Sequence, residues 1–214
     1  MLKRVVIIDT GIDLTHPVFR DMESYEQLTV CGDREGEYWV KQGEAKDEIG
    51  HGTAVMGILK KECPNNTEFT IIKLFDHTHK VTPQKLAYTL EYIDSHISCA
   101  IIHMSLGCIT PDKQLRLICE RLYQKDVLMV AAFSNDGSMS FPAAYPSCSS
   151  ISGVCLCEAT PYAFMLSFTS QKRFGVFAPL PAPDVPDFAS TISVSVSIRP
   201  SFTSGYAVRI EHVV

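Results

Sequence analysis

Val5-Val6-Ile7-Ile8-Asp9-Thr10-Gly11 begins as an apolar run and breaks abruptly to a carboxylate and a glycine. Four consecutive β-branched residues with no polar alternation read as a strand buried on both faces. Runs of the same kind recur at Phe69–Leu74, Ala100–Met104 and Val127–Ala132, and the stretches between them carry helical spacing. Strand and helix in alternation predict an α/β fold: a mostly parallel central sheet with helices on both faces, functional residues lying at the carboxyl ends of the strands. Asp9, just past the first run, occupies such an end.

Helix signals punctuate the intervals. Thr82-Pro83 supplies an N-cap and a proline at the first helical position, and Leu86, Leu90 and Ile93 follow at i, i+4 and i+7. Thr110-Pro111 repeats the punctuation before Leu115, Ile118, Cys119 and Leu122. Residues 32–49 are polar, with several glycines and acids, and read as a loop or short hairpin leading to a helix that opens near Gly50. From Glu158 to Arg199 recurrent prolines among short β-branched runs favour extended segments and turns.

The chain has 214 residues and is 46% hydrophobic, enough for a single packed domain over 1–214. A net charge of -5, a pI near 5.8 and scattered Lys and Arg exclude an electrostatic footprint for nucleic acid. The apolar run at Val5–Ile8 is too short for a signal peptide or a membrane span, so the expectation is a cytoplasmic protein with no membrane partner. Eight cysteines in a chain of this length, several within apolar patterns such as Cys99 and Cys119, read as reduced, buried thiols. Cys155 and Cys157 fit alternate strand positions better than a zinc site, and His77 and His79 read as a polar turn, so no metal and no cofactor are assigned.

Two segments carry the chemistry. Asp9-Thr10-Gly11 has no second copy, so the shared-proton carboxylate pair of an aspartic peptidase is ruled out. The longer run Asp9-Thr10-Gly11-Ile12-Asp13-Leu14-Thr15-His16-Pro17 is far more specific. The other is Gly50-His51-Gly52-Thr53-Ala54-Val55-Met56-Gly57, a histidine opening a helix of small residues that leave room around its imidazole. A general base must be accessible and held in one tautomer by a carboxylate, which Asp9 could supply.

With these segments in this order, the chain resembles the subtilisin-like serine proteases. Met104-Ser105-Leu106-Gly107 is similar to that family's substrate-binding strand, and Val130-Ala131-Ala132-Phe133-Ser134-Asn135-Asp136-Gly137 to its oxyanion segment. Ser140-Phe141-Pro142-Ala143-Ala144-Tyr145-Pro146 resembles the stretch that follows, leading into a strand at Ser149–Val154. The family's nucleophile signature does not occur as such. Its nearest counterpart is Pro200-Ser201-Phe202-Thr203-Ser204-Gly205-Tyr206-Ala207-Val208, a family-like distance after Phe177-Ala178-Pro179, with Arg199-Pro200 in place of Gly-Thr and Gly205 in place of the helix proline. Phe202, Tyr206 and Ile210 recur at helical spacing, so a helix opening at Ser201 is expected.

The resemblance implies a three-layer subtilisin-like fold and a serine endopeptidase with Asp9, His51 and Ser201 as its triad and Asn135 as an oxyanion donor. A peptide or protein substrate would pair with Ser105, Leu106 and Gly107, Gly107 letting its backbone approach, in an enzyme that processes a specific peptide or protein inside the cell. The rebuilt Ser201 segment leaves a second implication: a catalytically impaired pseudo-peptidase that binds peptides.

Overall fold

A computed structural model describes residues 4–75, 81–133, 139–154, 164–168, 173–179, 197–200 and 206–209, with side chains described over 4–75, 81–133 and 139–149. The strands are β1 (Arg4–Asp9), β2 (Tyr25–Gly32), β3 (Tyr38–Gln42), β4 (Glu68–Lys73), β5 (Ile101–Met104), β6 (Leu128–Ala132), β7 (Ser149–Val154), β8 (Phe164–Phe168), β9 (Arg173–Pro179), β10 (Ser197–Pro200) and β11 (Tyr206–Arg209). Among the described residues three α-helices interleave with them, α1 (His51–Glu62), α2 (Pro83–His96) and α3 (Lys113–Gln124), besides a 3-10 turn at Pro17–Phe19. Nine strands form one sheet in the order β3-β2-β4-β1-β5-β6-β7-β9-β8. Every pairing from β2 across to β9 is parallel, and the flanking β3 and β8 are antiparallel.

The expected α/β architecture is therefore present, and the side-chain alternation of β1 shows why both faces are covered. Val6 and Ile8 point to a cluster containing Leu86, Leu90 and Ile93 of α2 with Leu115, Ile118 and Leu122 of α3. Val5 and Ile7 point the other way, to Val55, Met56 and Leu59 of α1. Burial of each large aliphatic side chain contributes about 1.5–3 kcal/mol, and Leu90 is fully buried. The ion pairs of Asp94 with Arg121 (2.8 Å) and Lys125 (2.5 Å) join α2 to α3 at their outer ends.

α2 begins as the sequence suggests: Thr82 accepts a hydrogen bond from the Lys85 amide at 3.2 Å and Pro83 takes the first helical position. At α3 the boundary moves. Asp112, not Thr110, is the N-cap, accepting from the Leu115 amide at 2.8 Å. A carboxylate is a strong acceptor beside the positive end of a helix, and Pro111 holds Thr110 out of the helical region.

Within the polar stretch 32–49 a hairpin does form, but it starts earlier than its composition suggests. β2 pairs with β4 in parallel and with β3 in antiparallel register. Its signal is period-two alternation, with Leu28 and Val30 buried between half-exposed Gln27, Thr29 and Cys31.

The extended segments expected in the proline-bearing region are seen at β8, β9 and β10. Residues 201–205, where the expected helix would open, lie outside the described residues, and Tyr206–Arg209, expected within it, is a strand, antiparallel to Ser197–Pro200 with Ile198 opposite Val208. Thr203-Ser204-Gly205 is a turn-forming cluster, and Gly205 disfavours helix by about 1 kcal/mol relative to alanine. At Tyr206–Arg209 these preferences outweigh the helical spacing on which the expectation rested.

The six described cysteines, Cys31, Cys63, Cys99, Cys108, Cys119 and Cys148, are all free thiols. Burial pushes the thiols of Cys63, Cys99 and Cys108 up to about 11, leaving them protonated and poorly nucleophilic. Cys155 and Cys157, like His77 and His79, lie outside the described residues.

Candidate active site

Asp9 ends β1, fully buried, where the chain leaves the sheet. Its Oδ1 accepts from the Thr10 amide at 2.7 Å and from His51 Nδ1 at 2.6 Å. Oδ2 is buried and has no hydrogen-bond partner among the described residues. A carboxylate so placed selects the imidazole tautomer that carries its proton on Nδ1, leaving Nε2 free to act as a base.

His51 is the first residue of α1, and its side chain is 26% exposed while Asp9 is at 0%. Burial of the ring works against its charge, but the hydrogen bond to Asp9 and the charges of Asp9 and Asp47 outweigh it and raise the His51 pKa above its ordinary value. The pair is thus set up to take a proton and hold the resulting imidazolium.

Two glycines make this approach possible. A Cβ on Gly52 would stand 2.2 Å from the Gly11 carbonyl oxygen, and one on Gly11, at a φ of +118°, would stand 2.3 Å from the Ala45 carbonyl oxygen. The loop after β1 and the start of α1 meet backbone to backbone, and the small residues around His51 serve that contact.

Asp47, in the loop before α1, was not apparent from the sequence. Its Oδ1 accepts from Thr10 Oγ1 (2.8 Å), the Ile49 amide (3.0 Å) and the Gly50 amide (2.8 Å). Oδ2 accepts from the amide (2.9 Å) and hydroxyl (2.6 Å) of Thr53. Burial raises its pKa, but the bonds from Thr53, Gly50 and Ile49 more than reverse this and hold it below the usual value. The N-cap of α1, Gly50, has a φ of 94° and no side chain, so Asp47 satisfies the orphan amides in its place. An acidic residue within one turn of a helix start that lacks a capping side chain is the signal that could have found it.

Beyond β5, Ser105 is half-buried, Leu106 buried and Gly107 exposed. Cys108 then pairs with Phe141, its amide donating to the Phe141 carbonyl at 2.7 Å and its carbonyl accepting at 2.8 Å. A Cβ on Gly107 would stand 2.8 Å from Ser140 Oγ. The missing side chain therefore makes room for Ser140, so the expectation that it serves an approaching peptide is not needed to explain the glycine. Ser140 in turn donates to the Ala132 carbonyl at 3.0 Å, joining this strand to the end of β6. Asn135 and Ser201 lie outside the described residues.

No family model matches the chain. It is similar to the thermophilic serine proteinase of Bacillus sp. (strain AK1), 26% identical over 99% of this chain and 50% of that protein. Similarity to the minor extracellular protease Epr of Bacillus subtilis (strain 168) is 28% identity over 70% of this chain and 23% of Epr. The chain thus spans half or less of the length of these curated relatives. Among solved structures, the prenylagaramide maturation protease PagA aligns with a TM-score of 0.58 at 18% identity, over 98% of this chain and 69% of PagA.

Proposed function

We propose that the chain, which is similar to serine proteases of the subtilisin type, is a serine endopeptidase working through Asp9, His51 and Ser201, with Asn135 as oxyanion donor. The observation that carries the reading is the buried Asp9 carboxylate 2.6 Å from Nδ1 of a partly exposed histidine. In the reaction, Ser201 Oγ bonds to the peptide carbonyl carbon while His51 Nε2 takes its proton. The C–N bond then breaks as His51 returns that proton to the leaving amine, and water releases the acyl group by the same route. Asp9 orients the ring and stabilises its cationic form, and the Asn135 side-chain amide donates to the oxyanion.

The substrate proposed is a particular peptide or protein precursor, pairing in extended form with Ser105, Leu106 and Gly107. PagA, similar in fold, is a prenylagaramide maturation protease, and a maturation role of that kind fits this proposal. Free thiols at all six described cysteines favour a reducing, cytoplasmic setting, and among the described residues no helix is long and apolar enough to cross a membrane.

A second reading has its own observation. Tyr206–Arg209, expected to lie within a helix after Ser201, is instead a strand paired with Ser197–Pro200, which shortens any helix whose dipole would assist the oxyanion. That favours a pseudo-peptidase that binds peptides without efficient cleavage. Fluorophosphonate labelling followed by intact mass separates the two. The protease reading expects one adduct on the wild type and none on Ser201→Ala or His51→Ala. A folded wild type that stays unlabelled selects the binding module, and an adduct retained by Ser201→Ala places the nucleophile elsewhere.

A further inference from the structure

The Asp9–His51 pair is closed into a ring of hydrogen bonds by a residue that touches neither side chain. Thr10, next to Asp9, donates its hydroxyl hydrogen to Asp47 Oδ1 at 2.8 Å, and Thr10 Oγ1 itself accepts from the amide of Gly52, next to His51, at 2.9 Å. On its other side, Asp47 Oδ2 holds both the amide and the hydroxyl of Thr53, and Thr53 Oγ1 accepts from the Asp13 amide at 3.0 Å. The backbone repeats the tie: the Ile12 amide donates to the Ala45 carbonyl at 2.7 Å and the Asp47 amide to the Ile12 carbonyl at 3.3 Å. Residues flanking both members of the pair are thereby referenced to one carboxylate.

We propose that Asp47 is a positioning residue for the Asp9–His51 couple, acting through Thr10, Gly52 and Thr53 to fix the start of α1 against the end of β1. The reason is economy of donors and acceptors. Asp47 is 8% exposed and receives five hydrogen bonds, far more than one helix cap requires. Three of the donor groups are the Thr10 hydroxyl, from the residue after Asp9, and the Thr53 amide and hydroxyl, from the first turn of the helix that His51 opens, where a displacement of about 1 Å can cost about 100-fold in rate. Asp47 also adds a second negative charge to the surroundings of His51, in the direction that raises the ring's pKa. The charged groups acting here are Asp9 from β1, Asp47 from the loop before α1, and Asp13, which faces Asp47 from the loop after β1.

The inference rests on the protease reading for its rate consequence but not for its geometry, so the test carries one readout of each kind. The variants are Asp47→Asn, Thr10→Val and Thr10→Ser in the full chain. Asparagine keeps the size of the side chain, removes the charge and turns an NH₂ group toward the Thr53 donors. Valine deletes the Thr10 bridge at constant volume, and serine restores it. The first readout is the NMR titration of the His51 ring. Asp47→Asn is expected to shift its midpoint downward, and Thr10→Val to disturb the Nδ1–H resonance, which Thr10→Ser returns to its wild-type position. The second is turnover of a peptide substrate: kcat should fall about 10- to 100-fold in Asp47→Asn and Thr10→Val with KM nearly unchanged, and recover in Thr10→Ser.

An unmoved His51 titration in folded Asp47→Asn overturns the proposal, as does Thr10→Ser performing no better than Thr10→Val. Should Asp47→Asn fail to fold, the Thr10 pair decides alone. A wild type without peptidase activity defeats the protease reading while the titration still passes judgement on Asp47.

Discussion

Asp9 and His51 stand 42 residues apart in sequence and meet at 2.6 Å, whereas Ser197–Pro200 and Tyr206–Arg209 are near neighbours in the chain and pair with each other in a sheet of their own. The first region is held from several directions: a strand buried from Val5 to Asp9, a helix whose start is capped from a loop, and two glycines that admit no Cβ. The second is described by one two-stranded ladder, an arrangement of marginal stability when unsupported. The contrast teaches that the acid–base half of the proposed site is over-determined by packing, while the strands that flank Ser201 in sequence are tied only to each other among the described residues. Substitutions can press on either side of that difference.

The largest effect is expected at Asp9→Asn. The amide keeps the acceptor for the Thr10 amide but can no longer select the Nδ1–H tautomer of His51, and such a change costs about 10,000-fold in kcat where a triad operates. Turnover of a peptide substrate, measured beside an unchanged circular dichroism spectrum, checks it. A loss below tenfold would mean that the well-packed half is structural only.

Asn135→Ala comes next, with an expected loss of about 100- to 1000-fold in kcat at nearly constant KM. The comparison sharpens this value. If no helix N-terminus stands at Ser201, the side-chain amide carries more of the oxyanion's charge, and the loss belongs at the upper end of that range. Steady-state kinetics at saturating substrate reads it directly.

The pH dependence is smaller and has a definite sign. His51 must be neutral to accept a proton, and its pKa is raised, so the acid limb of the kcat profile should lie above the ordinary histidine value of about 6.5. Below that limb activity should fall about tenfold per pH unit. Stability runs the other way: the charged ring is favoured in the folded state, so its contribution is full below about pH 6.5 and is lost as pH rises through the folded pKa. Paired rate and denaturation profiles check both limbs, and a shared sign would contradict the Asp9 pairing.

How much of this was legible follows the same division. Val5–Ile8 announces β1 because a doubly covered parallel strand needs apolar residues at every position, and Thr82-Pro83 announces α2 because cap and proline act locally. Asp9 and His51 are legible for a related reason: the glycines and small residues beside them record a close backbone approach. Asp47 escaped because its local role, capping a helix whose N-cap is glycine, is one that any acid before a helix start can fill, and its bond to Thr10, 37 residues away, exists only in the fold. β2 escaped because its alternation sits among charged and polar residues, so its burial is apparent only once β4 lies beside it. At the C-terminus, spacing and residue type disagree. Phe202, Tyr206 and Ile210 favour a helix while Thr203-Ser204-Gly205 favours a turn, and reading the period alone gave the wrong element for Tyr206–Arg209.

The smallest predicted effect tests that last conflict most sharply. Within a helix, Gly205→Ala would stabilise by about 1 kcal/mol, a rise of about 2–4 °C in Tm for a chain of this size. Next to the strand pairing of Tyr206–Arg209, alanine brings no helix-propensity gain and gives up the freedom glycine has in turns, so Tm is expected to stay level or fall. Thermal melts followed at 222 nm distinguish the two. A rise in Tm accompanied by added helical signal would favour a helix after Ser201, with its dipole at the serine amide, and would weaken the distinction between the two halves of the site. A level or lower Tm leaves the oxyanion to Asn135 and makes the fluorophosphonate result at Ser201 the deciding measure of whether the well-packed half has a nucleophile to serve.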